Sequence, residues 1–146
     1  MEIEKNELIE YGLKVFEEVG ANEICTVCIN SGNTCCQGCK FLSENEGCQK
    51  RNTSCVGWLC GLQKQYFAEI EVLDEWEKLW KKIPGKLHRG DVTPDIVKII
   101  RLLNVKHVDK QSGLLMAENL KAFVADGGNL EKLERQLHHK FVMEKL

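Results

Sequence analysis

The sequence predicts a mainly α fold, a helical single domain of 146 residues with a cysteine-rich, loop-dominated metal-binding segment. Three observations predict it. Apolar residues recur every three or four positions on both sides of residues 25–60. Inside that stretch the period lapses, all eight cysteines fall there, and Gly, Asn, Ser and Thr dominate between them, as in turns. Strand-like alternation is weak everywhere. A chain of this length buries a core without covalent staples, so size alone does not demand cross-links.

Residues 1–24 form an N-terminal helical segment. Leu8, Tyr11, Gly12, Val15, Phe16 and Val19 share one face of a helix over 2–19, and Gly20 is its stop. Residues 25–60 are the cysteine-rich segment, and 61–146 the second helical segment. In the latter, Tyr66, Ile70, Leu73, Trp76, Trp80 and Ile83 predict one long helix ending at Pro84-Gly85, with Trp76 and Trp80 in the core. "VTPDIVKIIRLLN" reads as a further helix, with Thr93 as N-cap, Pro94 in the first helical position and Asp95 in the first turn. "SGLLMAENLKAFVADGGN" and "NLEKLERQLHHKFVMEKL" supply two more, parted by Gly127-Gly128 with Asn129 as cap.

Charge excludes little: 20 basic against 22 acidic side chains leave a formal −2. Its distribution is uneven. Residues 1–24 carry seven acids against two lysines, whereas nine Lys or Arg face three acids between Lys78 and Lys110. Such a band suits phosphates, so nucleic acid is a conceivable partner. No base-reading motif accompanies it, however, and the ordinary role of these side chains is a solvated helix face. The N-terminus lacks a charged-then-apolar leader, and nowhere do 18 apolar residues run together, so we expect a cytoplasmic protein without a membrane partner. In that compartment thiols stay reduced and serve metals or redox chemistry rather than disulfides.

The spacing is Cys25-x2-Cys28-x6-Cys35-Cys36-x2-Cys39-x8-Cys48-x6-Cys55-x4-Cys60. Each CxxC unit presents two sulfurs to one centre, so Cys25, Cys28, Cys36 and Cys39 suit one tetrahedral ion. Cys35, Cys48, Cys55 and Cys60 are then a second set of four. Adjacent Cys35 and Cys36 direct their side chains apart, which means either two sites or one spare thiol.

"CTVC", "CCQGCKFL", "GCQKRNTSC" and "WLC" resemble the YkgJ-type zinc- or iron-chelating cysteine cluster over about residues 25–60. The resemblance implies metal ligation by Cys28, Cys36, Cys39, Cys48, Cys55 and Cys60, with Cys25 and Cys35 as further candidates. Arg51 is followed by Asn52 where that family has an Arg-Pro pair. Some relatives resemble flagellin lysine methylases, in which the cluster belongs to an enzyme.

Thiolates hold both zinc and iron–sulfur clusters. The ferredoxin-type C-x2-C-x2-C-x3-C-P run is missing, and an even set of eight suits closed four-thiolate zinc, so zinc leads and an iron–sulfur cluster is the alternative. Lys40, Lys50 and Arg51 are candidates to offset the thiolate charge, or simply solvated loop residues. Trp58 shields a metal core, and His88, His107, His138 and His139 are surface histidines. No glycine-rich phosphate loop, G-x-S-x-G or H-E-x-x-H occurs, so no enzyme constellation is visible. The sequence thus reads as a metal-binding protein with zinc in one or two four-cysteine sites of structural role. The alternatives are an iron–sulfur-containing enzyme or methylase-like component, and a nucleic-acid-binding zinc module.

Overall fold

The computed structural model describes residues 1–32, 42–43, 47–48, 53–84, 86–87, 90–91 and 93–144. It is mainly helical. The order is β1 (Glu2–Glu4), α1 (Lys5–Glu18), α2 (Ala21–Asn30), β2 (Leu42–Ser43), β3 (Gly47–Cys48), α3 (Thr53–Gly57), α4 (Gly61–Glu69), α5 (Leu73–Lys81), β4 (Lys86–Leu87), β5 (Gly90–Asp91), β6 (Ile96–Lys98), α6 (Lys110–Ala125) and α7 (Leu130–Glu144). The strands pair antiparallel in three two-stranded ladders, β1 with β6, β2 with β3 and β4 with β5.

The core is built on aromatic rings. Phe67 of α4 meets Trp76 of α5 edge-on at 5.2 Å between centroids, Phe16 of α1 lies 5.4 Å from Phe67, and Trp80 stacks obliquely on Trp76 at 5.5 Å. Trp76 also donates its indole N–H to the Gly57 carbonyl of α3, so a fully buried ring keeps its polar atom satisfied. Leu8 and Val15 of α1, Ile24 and Val27 of α2 and Leu62 of α4 close around these rings. The expected core placement of Trp76 and Trp80 is observed.

α1 matches the expected helix, except that Glu2–Glu4 pair with β6 instead of extending it. It ends at Gly20, whose φ of +77° is open to glycine at little cost. Gly20 also abuts Gly113 of α6 backbone to backbone, so a Cβ on either would collide with the other and lift α2 from α6. Gly127 ends α6 with a φ of +93°, and Asn129 caps α7 by accepting the Lys132 amide at 3.0 Å.

Three expectations need correction. The first CxxC unit is helical, not a loop: Ala21, Ile24 and Val27 form a buried stripe one turn apart, and the cysteines between them ride on α2. The long helix over 61–83 is two helices. Glu71 takes a left-handed φ of +61°, the Glu71 amide reaches back to the Ala68 carbonyl, and Val72 N–H bonds the Phe67 carbonyl at 2.9 Å, a Schellman stop that carries glutamate where glycine is usual. The apolar period runs on across this stop because Val72 packs into the core beside Phe67.

The third correction concerns the helix expected from Thr93. Ile96–Lys98 is instead strand β6, registered Glu2↔Lys98, Ile3↔Val97 and Glu4↔Ile96. Val97 and Ile99 are buried while Ile96 and Ile100 are exposed, a period of two on β-branched residues that outweighs the capping signal. Thr93 does not cap a helix: its hydroxyl donates to the Pro84 carbonyl at 2.7 Å and lies 2.9 Å from that of Thr53. Beyond β6 the chain is held by Tyr11, whose hydroxyl donates to the Leu103 carbonyl and accepts the Leu103 amide at 2.7 Å.

Replacing Glu71 by Gly is expected to raise the unfolding free energy by about 0.5–1 kcal/mol, because the left-handed cost of a Cβ exceeds the chain entropy that glycine adds. Denaturant midpoints of the two proteins check this. An equal or lower midpoint for Glu71→Gly contradicts the strained stop.

Candidate metal centre

Of the eight cysteines, the structure describes the side chains of Cys25, Cys28 and Cys60, and none of these three is in a disulfide. Cys48 falls in β3 and Cys55 in α3, while Cys35, Cys36, Cys39, Lys40, Lys50, Arg51 and His88 lie outside the described residues. Cys25 and Cys28 are three apart on α2, hence on one side of that helix. Cys60 is the N-cap of α4. Cys28 and Cys60 both pack against the edge of the core.

Gln63 joins these elements. Its side-chain amide donates to the Ala21 carbonyl at 2.9 Å and to Cys25 Sγ at 3.2 Å, and its backbone N–H points at Cys60 Sγ, 3.5 Å away. One buried residue thus touches sulfur on both helices. Gln63 is 2% exposed, and its Oε1 is buried with no hydrogen-bond partner. An unpaired buried carbonyl of this kind costs about 1–3 kcal/mol.

α7 closes the other side. Glu134 Oε1 accepts the Gly61 amide at 3.3 Å, and a Cβ on Gly61 would strike the Glu134 carbonyl and the His138 amide nitrogen. Only glycine lets the start of α4 lie this close to α7. The His138 ring sits 6.1 Å from that of Trp58, which is half exposed, and His138 Nδ1 is buried without a partner. His138 is therefore partly buried beside Trp58, not the surface histidine expected, whereas His107 and His139 are exposed.

The thiol electrostatics follow from this packing. Burial, then the neighbouring Cys25 and Glu134, pushes the Cys28 thiol up to about 11. Burial pushes Cys60 up to about 12 against the pull of the Gln63 amide, with Cys25, Cys28 and Glu134 adding to the rise. Gln63 thus bridges the sulfurs of Cys25 and Cys60, and Cys28 lies three residues further along α2. Their donors suit a thiophilic ion such as zinc, which takes sulfur ligands and is favoured by N–H groups aimed at sulfur. Among the described residues, no group of three or more His, Cys, Asp or Glu side chains stands together in a way that could hold a metal ion.

Sequence reasoning missed Gln63, Glu134 and His138. A signal for Gln63 was present: it occupies the apolar stripe with Tyr66, Phe67 and Ile70, where a polar residue is out of pattern. The basic band contributes Lys78, Lys82 and Arg101 to a cleft of about 280 Å³ between α5 and residues 99–103, with Leu79, Ile99 and Leu102 beneath. Among the described residues no helix is long and apolar enough to cross a membrane. No family model, curated protein or solved structure matches the chain.

Because the folded state holds the Cys28 and Cys60 protons more tightly than the ordinary thiol value of 9.0, the metal-free protein keeps this stabilisation below about pH 9. It loses it as pH rises through about 11 and then 12. Tyr66, pushed up to about 12 mainly by burial, titrates in the same range. Comparison with Cys60→Ala isolates the thiol: the variant's unfolding free energy is expected to fall less steeply over this interval. Parallel pH profiles contradict the assignment.

Proposed function

We propose that this protein binds zinc through cysteine thiolates, in one or two four-cysteine sites whose role is structural. The observation that carries the reading is the bridge that buried Gln63 makes between α2 and the start of α4, its side-chain amide donating to Cys25 Sγ and its backbone N–H to Cys60 Sγ. A disulfide scaffold has no use for such donors. The resemblance of residues 25–60 to the YkgJ-type cluster supports the same reading. On it, Cys25, Cys28 and Cys60 provide three ligands of one centre, and the fourth comes from among Cys35, Cys36, Cys39, Cys48 and Cys55.

This grouping differs from the pairing of the two CxxC units on one ion, because Cys60 enters the neighbourhood of Cys25 and Cys28. Closed thiolate coordination leaves no open position for catalysis, so the metal orders the segment and ties α2 to α4. Zinc supplies that cross-link. The chain supplies half-buried sulfurs at the edge of the core and N–H donors aimed at two of them.

Protein purified without added metal, under reducing and anaerobic conditions, is expected to be colourless and to carry zinc at one or two ions per chain. Cys25→Ser, Cys28→Ser and Cys60→Ser should each lower the ratio by one ion. Because ligand thiols must lose protons, zinc affinity should rise with pH below pH 9. Brown protein with iron and inorganic sulfide would transfer the site to an iron–sulfur cluster. An undiminished metal content in all three variants would remove these cysteines from it.

A further inference from the structure

We propose that Gln63 is the positioning residue of this thiolate centre, its side-chain amide fixing the orientation in which Cys25 Sγ meets the metal. The inference rests on the metal reading and adds to it a residue that no ligand pattern singles out. Gln63 is an awkward choice for packing alone. It stands on the apolar face of α4 beside Leu62, Tyr66 and Phe67, nearly fully buried, where Leu or Met would fill the same space without a polar atom. Its Oε1 finds no partner there, a cost set against the bonds that Nε2 makes.

What the amide gains lies at Nε2. One of its two hydrogens is fixed by the Ala21 carbonyl at 2.9 Å, in the first turn of the helix that carries Cys25, and this bond turns the other toward Cys25 Sγ at 3.2 Å. An N–H donor gains little from a protonated thiol, a weak acceptor. It gains far more from an anionic sulfur. The geometry is therefore worth its unpaired oxygen in the state where Cys25 is deprotonated, which is the metal-bound state. The Gln63 backbone N–H makes the matching approach to Cys60 and persists in any substitution at this position.

Gln63→Met keeps the length of the side chain and removes both hydrogens and Oε1, whereas Gln63→Glu replaces the donor by an anion next to thiolates. Zinc affinity of the full chain, read by competition with a chromophoric chelator, is expected to fall roughly ten- to hundredfold in Gln63→Met and further in Gln63→Glu. The sulfur-to-cobalt charge-transfer band of cobalt-loaded protein should shift in Gln63→Met, reporting a changed thiolate. The metal-free Gln63→Met protein should be as stable as the parent or more so, since the unpaired oxygen is gone, and this separates positioning from simple packing. Equal zinc affinity and an unshifted band in Gln63→Met overturn the inference while leaving the metal reading in place. A loss of affinity matched by loss of metal-free stability also overturns it, as a packing effect. A parent protein that takes up neither zinc nor cobalt overturns the metal reading itself.

Discussion

The contact of α2 with the start of α4 is the constraint on which the rest of the site depends. These helices are joined by Gln63 through Ala21 and Cys25, and by Tyr66, whose hydroxyl donates to the Val19 carbonyl at 2.6 Å just before α2 begins. Without them, Cys25 and Cys28 would be separated from Cys60 by a stretch of chain with few apolar side chains of its own. With them, Cys28 and Cys60 pack at the edge of an aromatic core closed by Phe16, Phe67 and Trp76, and Gln63 links Cys25 to Cys60. The helices position these thiols; on the proposed reading, a metal would complete what their packing begins.

Two close backbone approaches make that packing possible. Gly20 against Gly113 seats the beginning of α2 on α6, and Gly61 against the Glu134 and His138 backbone seats the beginning of α4 on α7. Each brings a C-terminal helix against the element that carries cysteine. α6 and α7 hold no thiol, yet they fix the positions of α2 and α4 and so set the separation of Cys25 and Cys28 from Cys60. Glu134 adds a negative charge near these sulfurs and raises their proton affinity, which opposes thiolate formation, whereas the Gln63 donors favour it. A cation bound there, as proposed, would resolve this opposition in favour of thiolate.

The helical periods of α1, α6 and α7 were legible in the sequence because each combines an amphipathic stripe with an ordinary boundary signal, the stops at Gly20 and Gly127 and the N-cap Asn129. The break between α4 and α5 was not, since a glutamate holds the left-handed position and Val72 keeps the apolar rhythm unbroken. β6 was hidden by a convincing but unused helix start at Thr93-Pro94-Asp95. Its true signal, alternation through Ile96, Val97, Lys98 and Ile99, spans only four residues, and its partner β1 lies more than ninety positions earlier. Of the site, the cysteine types and the first CxxC unit could be read directly. That Cys60 joins them depends on how α4 docks, which spacing along the chain does not encode.

The grouping of Cys25, Cys28 and Cys60 on one ion is the central claim, and cadmium-113 NMR of cadmium-substituted protein tests it most directly, through scalar couplings from each metal nucleus to cysteine β-protons. The account predicts that the β-protons of all three residues couple to a single cadmium resonance, together with those of one further cysteine. Coupling of Cys60 to a different cadmium from the one that couples to Cys25 and Cys28 would contradict it.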